Sequence, residues 1–170
     1  RIPEENREKT AFILFDNEEK GMLGSSAYAT SHKEVKKEKL IINMDCVGDG
    51  ENVLFFANKK TRSLDVFPKL EAAMQSAQGR NFMMNKMEKC VYPSDQAQFT
   101  YGIAVCACNK GKVLGYYVDK IHTPKDTVCE QANLDFLADG LNAFTTALPE
   151  AAAPNEAAIQ KAAEPAKAKM

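Results

Sequence analysis

The acidic segment Asp16-Asn17-Glu18-Glu19-Lys20 directly follows the short apolar run 10–15. Two adjacent carboxylates that leave the end of a strand can enter one cleft from different angles. One of them can then bind a cation, while its neighbour exchanges a proton with the water held by that cation. The same segment, considered alone, also suits a solvated acidic loop.

Asp45 ends a second apolar run, which starts at Leu40. A carboxylate in this position costs free energy if it is buried without a partner. It therefore serves either as a turn or capping carboxylate or as a second metal ligand at a neighbouring strand end.

The third candidate is His122, in the segment Ile-His-Thr-Pro-Lys-Asp-Thr at 121–127. It precedes a turn fixed by Pro124, and the carboxylate of Asp126 is available as the second partner that metal-bound imidazoles commonly use. The other histidine, His32, lies in a Lys-rich stretch and is interpreted as a surface residue.

Alternating strand and helix patterns must position these side chains. A helix is expected over 21–39 and another over 66–77, with Pro68 near its start. The last helix repeats apolar residues at spacings of three and four from Leu134 to Leu148, and Thr127 with Glu130 fits a capping box at its start. Strands are expected at 10–15, 40–47, 52–57, 82–84, 103–108 and 113–118.

This order predicts an α/β domain with a mostly parallel central sheet. Functional sites in such sheets gather at the carboxyl ends of the strands. We therefore expect Glu19, Asp45 and His122 to converge in space.

Composition limits the possible partners. The chain is 45% hydrophobic and 26% charged, with 22 Lys and Arg against 23 Asp and Glu. This near-neutral charge gives no electrostatic reason to expect nucleic acid or an anionic membrane as a partner, and no apolar run is long enough to suggest a membrane span. The five cysteines show no CxxC spacing. Interpreted as mostly buried thiols, they favour a reducing compartment such as the cytoplasm.

The final segment, 149–170, contains nine Ala and three Pro. Its few larger apolar side chains cannot offset the chain entropy lost on ordering. We expect a folded domain over 1–148 followed by a disordered Ala/Pro/Lys-rich tail.

Four segments together resemble the co-catalytic zinc aminopeptidases, metallopeptidase family 28. They occur in the order of that family, and they are FILFDNEEKGMLGSSAY (12–28), INMDCVGDG (42–50), SDQAQF (94–99) and IHTPKDT (121–127). The resemblance implies a three-layer α/β/α zinc-exopeptidase fold with a mixed, mostly parallel sheet. It also implies hydrolysis of N-terminal peptide bonds in a peptide or aminoacyl substrate.

By this resemblance, Glu18 is the general base and acid. Glu19 and His122 ligate one zinc ion, and Asp45 ligates a second in the complete domain. Tyr92 is a candidate for contact with the substrate carbonyl, although the tyrosine of the family does not align cleanly with it.

The chain departs from the family pattern in two places. The Ser-Asp-His motif of the family stands here as Ser94-Asp95-Gln96. The family also places a His-x-Asp segment and a bridging aspartate before the paired glutamates, whereas residues 1–9 contain neither His nor Asp. We therefore expect a C-terminal part of the catalytic domain, with weak or no metal binding when it is isolated.

Two alternatives remain open at this point. One is a single-zinc enzyme similar to glutaminyl cyclases, which cyclise an amine instead of hydrolysing a peptide bond. The other is a degenerate, non-catalytic relative that acts as an interaction domain.

Overall fold

The structure is a computed structural model that describes residues 2–85, 93–112, 115–127 and 129–149. Its strands are β1 (Leu40–Met44), β2 (Asn52–Ala57), β3 (Asn81–Asn85), β4 (Tyr101–Lys110) and β5 (Tyr116–Tyr117). Its α-helices are α1 (Leu23–Ser31), α2 (Lys33–Glu38), α3 (Lys59–Arg62), α4 (Phe67–Ser76) and α5 (Gln131–Ala147). Short 3₁₀ helices occupy Glu4–Lys9, Glu18–Lys20 and Asp95–Gln98.

The strands form one mixed sheet in the order β1-β4-β2-β3, with β5 paired to β4. β1 runs parallel to β4 and β2 runs parallel to β3, while β4 is antiparallel to both β2 and β5. Helices cover both faces of the sheet. The predicted α/β class with a mixed central sheet is confirmed. Of the four pairings between described strands, two are parallel and two are antiparallel.

The central strands β2 and β4 are continuous apolar runs because both of their faces are buried. Val53 and Phe55 point into the larger core, where α4 and α5 pack on the sheet through residues such as Leu70 and Phe136. The alternating side chains of the same strands form a smaller cluster on the opposite face. Its buried members are Leu54, Phe56, Ala104, Cys106 and Cys108.

The apolar run 10–15 is not a strand, so this prediction was wrong. Phe12 and Leu14 are 75% and 98% exposed. Only the end of the run packs: the Phe15 ring centroid lies 6.0 Å from that of Phe99. An extended segment becomes a strand by exchanging hydrogen bonds with a neighbour, and none of the described strands pairs with this one.

Two helix predictions also need correction. The helix expected over 21–39 divides at His32, whose backbone leaves helical geometry at φ −118° and ψ 70°. The expected capping box of α5 does not form, because Glu130 is itself the cap residue and makes no side-chain capping bond. Its carboxylate pairs with Arg80 instead.

The strand predicted over 52–57 is confirmed with these bounds as β2, and the other remaining strand predictions hold for position but not for length. The strand predicted over 40–47 is β1, which ends at Met44, three residues before the expected end. The strand predicted over 103–108 is β4, which is longer than expected. Of the expected strand 113–118 only Tyr116–Tyr117 is paired, and residues 113 and 114 lie outside the described residues. The expected tail from 150 onward also lies outside them. Within the described ranges, no helix is both long and apolar enough to cross a membrane.

Candidate active site

The paired glutamates lie in a tight turn whose backbone is held on both sides. Asn17 and Met22 adopt left-handed backbone conformations, with φ of 52° and 58°. Between them the carbonyl of Glu18 accepts hydrogen bonds from the N–H groups of Gly21 and Met22, at 2.9 and 2.7 Å. Glu18 and Glu19 are thus the first two residues of a short 3₁₀ helix, Glu18–Lys20, that lies just before α1.

Glu19 and His122 meet across the fold. Nε2 of His122 lies 2.6 Å from Oε1 of Glu19, although 103 positions separate them. Both side chains face solvent, with 71% of Glu19 and 66% of His122 exposed. Nε2 of the imidazole therefore contacts Glu19.

An ion pair between Lys120 and Asp49 holds the loop that carries His122. Lys120 and His122 both have left-handed backbones, with φ of 61° and 59°. Nζ of Lys120 lies 2.7 Å from Oδ2 of Asp49 in the turn after β1, and this hydrogen bond raises the pKa of Lys120. The pair joins the turn that follows Asp45 to the loop that carries His122.

Asp45 directly follows β1 and is half-buried. Its N–H extends the ladder by donating to the carbonyl of Val105, at 3.0 Å. Its carboxylate accepts from the Ser94 hydroxyl at 2.8 Å and from the Cys46 thiol at 3.3 Å. Asp45 therefore keeps partners for both oxygens.

The pKa of the Glu18 carboxyl group is raised above the ordinary value for glutamate. Partial burial is the largest cause, and the negative charges of Asp45 and Glu19 are the next. A hydrogen bond from Ser94 acts in the opposite direction, and Asp95 adds a smaller upward effect. A carboxyl group with a raised pKa is better matched to proton exchange near neutral pH.

The segment Ser94-Asp95-Gln96 supplies residues whose role the sequence did not reveal. Their side chains are buried, at 2%, 7% and 4% exposure. Oδ1 of Asp95 has no hydrogen-bond partner, a costly state for a buried carboxylate. The sequence offered one indication of their importance, because three consecutive polar residues lie within a segment that matches the family. Polarity alone, however, does not show whether such residues are buried or solvated.

The other sequence-predicted residues lie away from this group or outside the description. Tyr92 lies outside the described residues. His32 stacks on Tyr28 with ring centroids 4.1 Å apart, as a residue of the helical surface.

The donor types present suit zinc, but their number is incomplete. Carboxylate oxygen and imidazole nitrogen are ordinary zinc ligands, and a catalytic site uses three of them plus water. Glu19 and His122 supply two, while the carboxylate of Asp45 is hydrogen-bonded to Ser94 and Cys46. Across the described ranges, no group of three or more His, Cys, Asp or Glu side chains is arranged to hold a metal ion. The chain therefore fits part of a zinc site.

An α/β domain with a mixed sheet carries two carboxylates in the turn before α1, an imidazole in the loop before α5 and an aspartate directly after β1. The model of Peptidase family M28 matches residues 3–145, and the chain belongs to this family of zinc-dependent metallopeptidases. A search of curated proteins found no match. A search of solved structures likewise found none.

Proposed function

We propose that the domain represented by this chain is a zinc-dependent aminopeptidase with Glu18 as its general base. The observation that carries the proposal is the contact of Glu19 with His122 beside a glutamate whose pKa is raised. The family assigns peptides as the substrate class. The restriction to N-terminal peptide bonds, and the roles below, belong to the proposal.

Glu19 and His122 would hold one zinc ion and Asp45 a second. When bound, zinc supplies a more acidic water and polarises the substrate carbonyl. Oε1 of Glu19 and Nε2 of His122 lie 2.6 Å apart, so a carboxylate oxygen and an imidazole nitrogen, both ordinary zinc donors, would be available on the same side of the ion.

Glu18 accepts a proton from the attacking water and then delivers it to the leaving amine. Both steps use one carboxylate oxygen, which must be ionised first and protonated afterwards. The pKa of Glu18 is raised, which favours the protonated form relative to an ordinary glutamate. The nearby charges of Asp45 and Glu19 cause part of this shift, so the ligand candidates also tune the base.

The proposal is tested with the complete natural protein, purified and supplied with zinc. Hydrolysis of aminoacyl-4-nitroanilides that stops with a chelator and returns with zinc supports it. An N-acetylated version of the same substrate is the control, because an aminopeptidase requires a free α-amine.

Two outcomes point to the alternatives. Cyclisation of peptides with N-terminal glutamine, without hydrolysis of the nitroanilides, would assign the domain to the cyclase-like chemistry. Absence of both activities, together with absence of zinc binding, would leave a non-catalytic relative.

A further inference from the structure

The side chain of Asn133 makes two hydrogen bonds although it is fully buried in α5. Its Nδ2 group donates to the carbonyl of Val47 at 3.0 Å, in the turn that follows β1. Its Oδ1 atom accepts from Nε of Arg80, which lies directly before β3. Because arginine only donates, the amide oxygen must face Arg80 and the amide nitrogen must face Val47.

Arg80 can fix this orientation because its guanidinium group is itself held. It pairs with the carboxylate of Glu130, and it donates to the carbonyl of Gly79 at 3.0 Å. Its side chain is 16% exposed, so water competes little for these contacts. If the Asn133 amide rotated by half a turn, donor would face donor and acceptor would face acceptor. That orientation loses both hydrogen bonds and leaves polar groups inside the fold without partners.

The turn after β1 is bound to α5 at two neighbouring carbonyls. One is the carbonyl of Val47, which accepts from Asn133. The other is the carbonyl of Gly48, which accepts from the N–H of Glu130, the cap residue of α5, at 2.8 Å. Just before this turn, Asp45 donates its N–H to a carbonyl of β4. The turn therefore joins a proposed zinc ligand that is fixed to the sheet to the start of α5.

The next residue of this turn, Asp49, contacts the loop that carries the other proposed ligand, His122. Oδ2 of Asp49 lies 2.7 Å from Nζ of Lys120, which precedes His122 by two positions. The side chain of Asp49 is 14% exposed, whereas that of His122 is mostly exposed. The placement of His122 therefore depends on an ion pair whose anionic partner is fixed by the position of the turn.

We propose that Asn133, oriented by Arg80, is a positioning residue for His122. Its amide holds the turn against α5, and Asp49 and Lys120 transmit that position to the loop of His122. The consequence for zinc binding rests on the proposed function. Without the amide donor the turn is less restricted, so His122 occupies the geometry of a zinc ligand less often.

The zinc test uses the complete natural protein and compares the wild type with Asn133→Asp. Aspartate has the shape of asparagine and keeps an oxygen for Arg80, but its carboxylate cannot donate to Val47. The zinc Kd, measured by isothermal titration, should rise about 10-fold, the lower end of the range for residues that orient a metal ligand. Arg80→Met replaces Asn133→Asp if that variant does not fold. It frees the amide to rotate, and the zinc Kd should rise in the same way.

The matched control is Asn6→Asp. Asn6 is 1% exposed, and its Nδ2 group donates to Oγ1 of Thr146 at 2.8 Å, near the other end of α5. This variant makes the same chemical change in an equally buried amide that contacts the same helix. Its zinc Kd should stay within about twofold of the wild type, because distant sites act independently. An equal rise of the zinc Kd in Asn133→Asp and Asn6→Asp would show a general loss of stability and would overturn the positioning role.

The route through the ion pair is tested by combining Asn133→Asp with Lys120→Met. Each change should raise the zinc Kd about 10-fold. Because both interrupt the same connection to His122, the double variant should also lie about 10-fold above the wild type. A rise of about 100-fold, which two independent effects would give, would overturn this route.

A second measurement does not depend on zinc. In the zinc-free protein, the imidazole proton signals of His122 should move in Asn133→Asp and in Lys120→Met. They should remain in place in Asn6→Asp. Signals of His122 that stay in place in all three variants would contradict the proposal. If the wild-type protein binds no zinc but the His122 signals move as expected, the proposed function fails while the positioning of His122 stands.

Discussion

Nε2 of His122 lies 2.6 Å from Oε1 of Glu19, in a contact that joins the loop before α5 to the turn before α1. The two residues come from opposite ends of the chain, and the contact brings an imidazole and a carboxylate to one edge of the domain. It gives the site two donors of the types that zinc prefers.

Adjacent substitutions should separate the roles of the paired glutamates. Glu18→Gln should lower kcat by roughly 10²- to 10⁴-fold, because an amide cannot accept the proton of the attacking water. Its zinc content should stay close to that of the wild type. Glu19→Gln should lose zinc, because a neutral ligand replaces an anionic one.

Metal analysis of both purified variants, alongside their kinetics, checks this assignment. Loss of zinc in Glu18→Gln with retention in Glu19→Gln would reverse the two roles. Wild-type activity and zinc content in both variants would leave the turn as a solvated loop.

The Lys120–Asp49 pair should control the placement of His122. Lys120→Met removes the cation that joins the His122 loop to the turn after β1. We expect the zinc Kd to rise about 10-fold, as when residues that orient a metal ligand without binding the metal are replaced. Isothermal titration with zinc measures the change, and Lys125→Met, in the same loop, is the matched control.

The exchanged variant, Asp49→Lys with Lys120→Asp, should recover part of the affinity because it restores the pair with reversed charges. If Lys120→Met binds zinc as tightly as Lys125→Met, the ion pair has no part in positioning His122.

Gly50 should tolerate no side chain. Its φ is +126°, and a Cβ atom would lie 2.6 Å from the backbone of Cys108. Gly79 has a similar φ of +96°, but no atom lies within 4 Å of its Cβ position. Gly79→Ala should therefore cost only the strain of the left-handed backbone, about 1 to 2 kcal/mol.

Gly50→Ala should cost at least about 2 kcal/mol more, since the clash with β4 adds to that strain. Urea denaturation of both variants gives the difference in the free energy of unfolding. Equal values for the two variants would show that the turn moves away from β4 without penalty.

Cys108 should make stability fall at alkaline pH. Burial raises the pKa of its thiol from 9.0 to about 11. Because the folded chain holds this proton more tightly than the unfolded chain, the contribution is complete below pH 9 and declines between 9 and about 11.

Urea denaturation at closely spaced pH values should show a steeper loss for the wild type than for Cys108→Ala over this window. Cys129→Ala, which changes an exposed thiol, is the control and should retain the wild-type slope. Parallel curves for wild type and Cys108→Ala would contradict the raised pKa.

The sequence was sufficient for the central sheet because β2 and β4 are long apolar runs whose burial on both faces leaves few alternatives. The family resemblance was sufficient to anticipate the approach of His122 to Glu19, although neither residue lies at the end of a described strand. The prediction of a strand over 10–15 was wrong because it rested on apolar composition alone. Apolar composition indicates a strand only when a pairing neighbour is present, and composition does not show that neighbour.

The buried position of Ser94, hydrogen-bonded to both Asn43 and Asp45, could not have been predicted in this way. Its geometry depends on Asn43, Gln96 and the missing side chain at Gly102, which come together only through the pairing of β1 with β4. Local patterns carry no information about which polar residues become buried by a contact of this kind.

The edge position of β1 has a practical consequence for work with this chain. Among the described strands, β1 pairs on one side only, with β4. The side of β1 away from β4 is not paired with a described strand and offers N–H and C=O groups, and Phe12 and Leu14 are exposed apolar side chains. Such an edge templates strand addition, so concentrated samples of the isolated chain will self-associate, and light scattering should rise with concentration. Charged replacements at Phe12 and Leu14 should extend the range over which the chain stays monodisperse.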